Sequence, residues 1–377
     1  MQKIRVMTIF GTRPEAIKMA PLVKAIEKDN RFESIVTVTA QHRQMLDQVL
    51  NIFEIKADYD LNIMKDGQSL SGITSRVIKE LDRVFENDKP DVVLVHGDTT
   101  TTFSASIASF YHQIKIGHVE AGLRTWNKYS PFPEEINRQL TDVVSDIYFA
   151  PTETSKENLI AEKRDTENIF VTGNTAIDAM KYTISDDFRN DLLDEIGENK
   201  IVLVTMHRRE NLGQPMINVF KALNKIVEMF DNVHVVFPMH KNPKVREIAK
   251  KCFLETDRVH LIEPLDVVDF QNLANNSYMI MSDSGGVQEE APSLGKPVLV
   301  LRDTTERPEG IEAGTLKLVG TDEKEVFETA KILIEDENLY SKMSKASNPY
   351  GDGKASERIL DAIAYHFGVS NSRPSEF

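Results

Sequence analysis

The 377-residue chain has a single cysteine, Cys252, which excludes an internal disulfide and a cysteine-built zinc site. Basic residues are outnumbered, 45 Lys and Arg against 59 Asp and Glu, for a formal net charge of −14. A general nucleic-acid binder needs a basic footprint, so no nucleic-acid partner is expected. Any anionic substrate would have to be held by a local cluster of arginines and helix ends. Long apolar runs are missing as well. The N-terminal stretch Met1 to Phe10 is too short for a signal peptide or a membrane span, so no membrane contact and a cytoplasmic location are expected. No Gly-x-Gly-x-x-Gly follows the first strand, and the histidine spacing matches no helical zinc motif. Neither a metal nor a nicotinamide cofactor is inferred. Short-period repeats and low-complexity segments are also missing.

What is present reads as two globular α/β halves. The length favours two domains, and 41% hydrophobic with 28% charged residues is ordinary for a globular chain. Apolar runs of strand type recur at Ile4 to Phe10, Ser34 to Ala40, Asp91 to Val95, Lys115 to Val119 and Ile147 to Ala150. Helical stretches separate them: one begins near Pro14 and runs to about Asp29, another spans Ser69 to Phe85, and a third starts near Glu134. Composition shifts after Val171, and the acid-rich stretch Ser185 to Lys200 reads as a solvated helix and connection. Strands then resume at Ile201 to Met206, Val233 to Met239, Val259 to Ile262, Tyr278 to Met281, Pro297 to Leu301 and Leu316 to Val319. Strands alternating with helices imply parallel βαβ units, and each half reads as a doubly wound unit.

The stretch Tyr278 to Gly295 organises the rest. A strand runs through Ser282-Asp283-Ser284-Gly285-Gly286 into a helix start, Val287-Gln288-Glu289-Glu290. Glycines let a backbone approach a ligand, and the free N–H groups of a first helical turn attract an anion. Ser284 can cap that helix or donate to a phosphate. A carboxylate nearby, from Glu289 or Glu290, can grip a ribose diol. The plain alternative is an ordinary capped helix after a buried strand.

Polar clusters sit after most of the core strands, at the edge where open parallel sheets bind ligands. Arg13, Arg124, Arg138, Arg208, Arg209, Arg302 and Arg307 fall in them or on the adjoining helix, and a guanidinium binds phosphate bidentately. About half of these are expected to be salt-bridge partners of neighbouring acids. Asp98, Glu120 and Glu134 gather in the first half. Carboxylates sharing a site have their pKa values pushed apart, so one can act as base and another as acid. Glu134 can also simply face the helix dipole, or pair with Arg138 at i,i+4. His207 and His240 both follow strands of the second half and can hydrogen-bond a phosphate.

These segments together resemble a known family. Gly11-Thr12-Arg13-Pro14-Glu15, His96-Gly97-Asp98-Thr99, His118 to Thr125, Pro133-Glu134-Glu135 with Asn137-Arg138, His207 to Asn211, Ser282 to Gly286 and Arg302 to Glu309 look like the non-hydrolysing UDP-N-acetylglucosamine 2-epimerases. The resemblance covers about residues 3 to 365. It implies glycosyltransferase-B architecture, two Rossmann-like doubly wound parallel-sheet domains facing a cleft. The first domain would span 1–172 and the second 173–354, with a C-terminal helix at about 355–377 crossing back to the first. It also implies cofactor-free interconversion of UDP-N-acetylglucosamine and UDP-N-acetylmannosamine through a 2-acetamidoglucal intermediate, and a homodimer.

By the same resemblance Asp98, Glu120 and Glu134 are the catalytic acids, Arg138 positions sugar and glutamates, and His207 serves the reaction and the nucleotide. Arg13, Lys18, Ser284, Gly285, Gly286, Glu290 and Arg307 would complete the UDP and substrate site. Gln41, Gln44, Arg208 and His240 would line a second, activating substrate site. There the chain departs from the pattern: Gly67 stands where some members carry an arginine. The competing readings are a hydrolysing epimerase, a glycosyltransferase of the same fold and a non-catalytic UDP-sugar sensor.

Overall fold

The computed structural model describes residues 3–40, 43–65, 67–253, 255–305 and 307–377, and for Gln44 and Met45 the backbone alone. It divides into two compact units, Met1–Tyr182 with Gly351–Phe377, and Thr183–Tyr350.

The first unit holds β1 (Ile4–Phe10), β2 (Phe32–Val38), β3 (Tyr59–Asp60), β4 (Val92–His96), β5 (Lys115–Val119), β6 (Ile147–Ala150) and β7 (Ile169–Val171). They line up as β3-β2-β1-β4-β5-β6-β7, every neighbour parallel. The second unit holds β8 (Lys200–Thr205), β9 (Val233–Pro238), β10 (Val259–Ile262), β11 (Met279–Ser282), β12 (Val298–Val300) and β13 (Leu316–Leu318). Their order is β10-β9-β8-β11-β12-β13, again parallel throughout. β-branched and apolar runs such as Val92-Val93-Leu94-Val95 suit strands covered on both faces, which parallel sheets require.

Strand order reverses once per sheet, between β1 and β4 and between β8 and β11. The chains leaving those strands diverge to opposite faces and open a crevice at the carboxyl edge. Gly11 and Gly97 follow β1 and β4; Met206 and Asp283 follow β8 and β11.

Each sheet carries helices on both faces. In the first unit the helices Arg13–Lys28 and Ala355–His366 bury Met19, Val23, Ile359 and Ile363 against one face. The helices Leu70–Asn87 and Thr100–Tyr111 bury Val77, Leu81, Ala105 and Ala108 against the other. In the second unit Phe220 packs on Phe237 and Phe253, with centroids 5.2 and 4.4 Å away.

Several boundaries differ from the sequence reading. The second strand begins at Phe32 rather than Ser34. Strands β3 and β7 went unread because two and three residues are too few to show a period. The first unit runs past residue 172 to Tyr182 because the helix Thr175–Thr183 is anchored in it. Asp178 of that helix accepts N–H bonds from Ala355 and Ser356 at 3.2 and 2.8 Å. The acid-rich stretch is not all solvated. Asn190 caps the helix Asp191–Ile196, whose Ile196 is buried among Ile201 and Leu203 of the second unit.

Gly122 has φ +84°, and a Cβ there would lie 2.2 Å from the Ser155 carbonyl oxygen. Gly122→Ala should therefore destabilise the first unit by roughly 2–4 kcal/mol, left-handed strain plus overpacking. Denaturant unfolding checks this; a midpoint equal to wild type would contradict the clash.

Candidate active site

In the first unit the loops after β1, β4 and β5 and the helix Glu134–Val144 meet around Asp98. Glu15 joins the first two loops. Its Oε2 accepts from Gly11 N at 3.1 Å and Thr12 N at 2.7 Å, the Thr12-x-x-Glu15 capping box. Its Oε1 accepts from Thr99 Oγ1 at 2.6 Å and Thr102 Oγ1 at 3.0 Å. Burial pushes the Glu15 carboxyl above its ordinary value.

Asp98 is held on every side. Its carboxylate pairs with Arg138, and its carbonyl accepts from Asn137 Nδ2 at 2.9 Å. Burial pushes its carboxyl up; Arg138 pulls it back, and Glu120 adds to the rise. Glu120 is close: a methyl on Gly97 would meet its Oε1 at 3.5 Å. Glu120 has φ +67°, pairs with Lys18, and lies 3.7 Å from His96 Nε2. Burial pushes His96 down to about 3, so its ring is neutral at pH 7.

Glu134 is half-buried and opens the helix that supplies Asn137 and Arg138. Arg138 does not choose Glu134 as partner. It takes Asp98 and, at 3.3 Å, Glu135, because Asp98 projects from β4 toward the same helix face. Behind this group His118, Asp142, Arg124 and Glu162 form a buried network. Arg124 is thus structural, its side chain fully buried with two acids.

In the second unit Asp283 is the centre. Fully buried, it accepts from His207 N (3.0 Å), Arg208 N (2.9 Å) and Asn211 Nδ2 (2.9 Å), and so shapes the loop after β8. Arg208 Nε returns to the Asp283 carbonyl at 2.9 Å. Ser284 is the N-cap of Gly285–Glu290, yet its hydroxyl makes no cap bond. A methyl on Gly285 would lie 3.7 Å from Arg307 Nη2 and 4.0 Å from Arg208 Nη2. Two guanidinium groups therefore flank a helix start, an arrangement for a polyanion. Arg307 is oriented by Glu289 at 2.5 Å, and Glu290 accepts from Gln271 Nε2 at 2.8 Å. Arg302 is 3.4 Å from Glu210. His207 stacks on His240, centroids 5.4 Å apart, beside a cavity of about 270 Å³ lined by Pro238, Leu265, Phe270, Ser284 and Val287. Burial and the neighbouring His207 lower the His240 pKa.

The residues named from sequence thus fall into two groups. Asp98, Glu120, Arg138 and Lys18 come together in the first unit, with Glu134 and Arg13 opening adjoining helices. His207, Arg208, His240, Ser284, Gly285, Gly286, Glu290 and Arg307 belong to the second. Lys18, read as a substrate ligand, is the ion-pair partner of Glu120. Arg208, read with the second substrate site, stands beside Gly285. Gln41 lies outside the described residues, as does the Gln44 side chain. The anchoring roles of Glu15 and Asp283 went unread, although the capping spacing signalled the first. The apolar lining at Leu265 and Phe270 carried no signal. Among the described residues, no group of three or more His, Cys, Asp or Glu is arranged to hold a metal ion, and no helix is long and apolar enough to cross a membrane.

The model of the UDP-N-acetylglucosamine 2-epimerase family matches residues 24–364. The chain belongs to that family. It is 62% identical over 377 residues to the UDP-N-acetylglucosamine 2-epimerase of Bacillus subtilis, covering 100% of this chain and 99% of that one. The S. aureus MnaA–UDP structure matches at TM-score 0.89 and 56% identity, over 99% of this chain and 100% of that one. The Neisseria meningitidis UDP-GlcNAc 2-epimerase bound to UDP-GlcNAc matches at TM-score 0.84 and 50% identity, over 96% and 99%. The 2-epimerase is an isomerase of two-domain, Rossmann-like GT-B fold.

The electrostatics give a pH test. Arg138→Met removes the positive charge beside Asp98, so the Asp98 carboxyl should rise further. The limb of the kcat–pH profile that reports Asp98 moves to higher pH in Arg138→Met and disappears in Asp98→Asn. A limb unmoved by Arg138→Met would belong to another group.

Proposed function

We propose that the enzyme interconverts UDP-N-acetylglucosamine and UDP-N-acetylmannosamine by elimination and re-addition of UDP. The observation that carries this reading is that Asp98, at the first switch point, and Glu120, after the next strand, lie close together in unlike environments. Asp98 is raised by burial and Glu120 is paired with Lys18. Two carboxylates so differentiated suit proton removal from one face of sugar C2 and delivery to the other. A base takes the C2 proton, the C1–oxygen bond to UDP breaks, and the electron pair forms the C1–C2 double bond of 2-acetamidoglucal. UDP then re-adds at C1 as a proton reaches the opposite face of C2. Glu134 is the third proton-handling group of the proposal.

The second unit grips the nucleotide. The Gly285 helix start with Arg307 suits the diphosphate, whose charge develops as C1 releases it. The cavity beside the His207–His240 stack suits the uracil, and Glu290 the ribose. Arg13 and Gly286 complete the contacts. The relatives solved with UDP and with UDP-GlcNAc support a UDP-sugar as the ligand. The hydrolysing alternative has the same acids and differs in water reaching the intermediate; product analysis separates the two.

Three further parts complete the proposal. Arg208 and His240, with Gln41 and Gln44, serve a second, activating substrate molecule. A lag from purified UDP-N-acetylmannosamine, abolished by traces of the other epimer, tests that. The enzyme is a homodimer, as sedimentation would measure; Phe110 and Tyr111 of the helix Thr100–Tyr111 are exposed at 56% and 67%, and Leu140 and Val143 are exposed on the helix packed against it. It acts in the cytoplasm, which cell fractionation tests.

Turnover in deuterium oxide should label C2 of both epimers, and Asp98→Asn, Glu120→Gln and Glu134→Gln should each lower kcat about 10²-fold or more. Epimers free of deuterium at C2 would refute the mechanism.

Ser284→Ala and Glu290→Ala should each weaken UDP binding by roughly 1–3 kcal/mol, the cost of unpaired groups. Calorimetry with both affinities unchanged would move the nucleotide away from this helix.

A further inference from the structure

His118 is fully buried in β5, with an oxygen on each ring nitrogen. Asp142 Oδ1 lies 2.6 Å from Nδ1, and the Gly97 carbonyl 2.7 Å from Nε2. A main-chain carbonyl can only accept, so Nε2 carries a proton. Asp142 receives Arg124 Nη2 at 2.7 Å and Gly122 N at 3.3 Å on its other oxygen. Burial pushes the Asp142 carboxyl up, but His118 and Arg124 outweigh it and hold the group below its ordinary value. Asp142 is therefore a carboxylate, and its Oδ1 fixes the ring at Nδ1 while the Gly97 carbonyl fixes it at Nε2.

We infer that His118, pinned between the Gly97 carbonyl and Asp142, is a positioning residue that holds the three acid-bearing segments in register. Gly97 immediately precedes Asp98. His118 stands two residues before Glu120 on the same chain. Asp142 shares a helix face with Glu134 and Arg138 at successive spacings of four. One ring thus ties the ends of β4 and β5 to the helix Glu134–Val144. Gly97 and Glu120 both sit at φ +67°. A non-glycine residue keeps such a backbone only when its surroundings impose it. The Gly97 N–H adds a bond to the Val119 carbonyl at 2.9 Å, so the two loops are stitched from both sides.

His118 touches no substrate atom in this role. Its loss should slow proton transfer and leave the nucleotide grip, built mainly by the other unit, unaffected. This inference rests on the acid roles proposed for Asp98, Glu120 and Glu134.

The test uses the whole enzyme. Nitrogen-15 NMR of histidine-labelled wild type should show one imidazole N–H that exchanges slowly with solvent because it is buried and hydrogen-bonded, missing from His118→Gln. His118→Gln and Asp142→Asn should lower kcat about tenfold or more, as small misplacements of reacting groups do, with UDP affinity within about twofold of wild type. A wild-type spectrum without such a slowly exchanging ring N–H overturns the inference, and decides alone should neither variant fold. A folded His118→Gln with wild-type kcat overturns it too, while Asp98→Asn inactive in the same assay leaves the acid reading standing. Parallel loss of kcat and UDP affinity overturns it in favour of a merely structural role. Full activity in Asp98→Asn defeats the acid reading and takes this inference with it.

Discussion

Parallel pairing is the constraint on which everything else depends. Strands that all run one way need crossover helices, and every strand then ends on the same edge. The chemistry-bearing residues follow strand ends in both sheets, so they are gathered without any further device. At the two switch points, β1/β4 and β8/β11, helices diverge to opposite faces and leave backbone N–H groups and side chains facing open space. Asp98 and Ser284 occupy equivalent places in the two sheets, yet one site collects carboxylates and the other guanidinium groups. The same topology serves two chemistries because the loops differ.

The second theme is how buried charge is made tolerable. An ionised group taken from water costs several kcal/mol unless partners replace the lost hydration. Asp142, Arg124 and His118 are all fully buried side chains, and each meets opposite charge or a matched hydrogen bond. Asp283 does the same work in the second unit through main-chain N–H groups and Asn211. Asp98 is the unequal case: burial raises it although Arg138 is present. A carboxyl held in that state keeps its proton to higher pH than an ordinary aspartate.

Much of this was legible in the chain. Alternating apolar runs and helical periods are local properties, so the parallel α/β class and most strands could be read directly. The polar clusters at strand ends were legible for the same reason, since a strand end is a local boundary. Reading stopped where pairing is long-range. Lys18 and Glu120 stand far apart in sequence, as do Arg124 and Glu162, and no local rule chooses one acid for one base. Seven arginines looked alike in sequence; packing made Arg124 structural and set Arg307 and Arg208 beside Gly285.

The sequence by itself determined most of the strands, the helices between them and the residue types at the sheet edges, because these follow from neighbours along the chain. Only the tertiary structure decided which charges are buried, which partner each receives and where the apolar cavity of Leu265 and Phe270 lies. Those depend on burial and on distances of a few ångströms between segments that chain order does not relate. Desolvation, which sets the protonation of Asp98 and His96, exists only once the fold has excluded water from them.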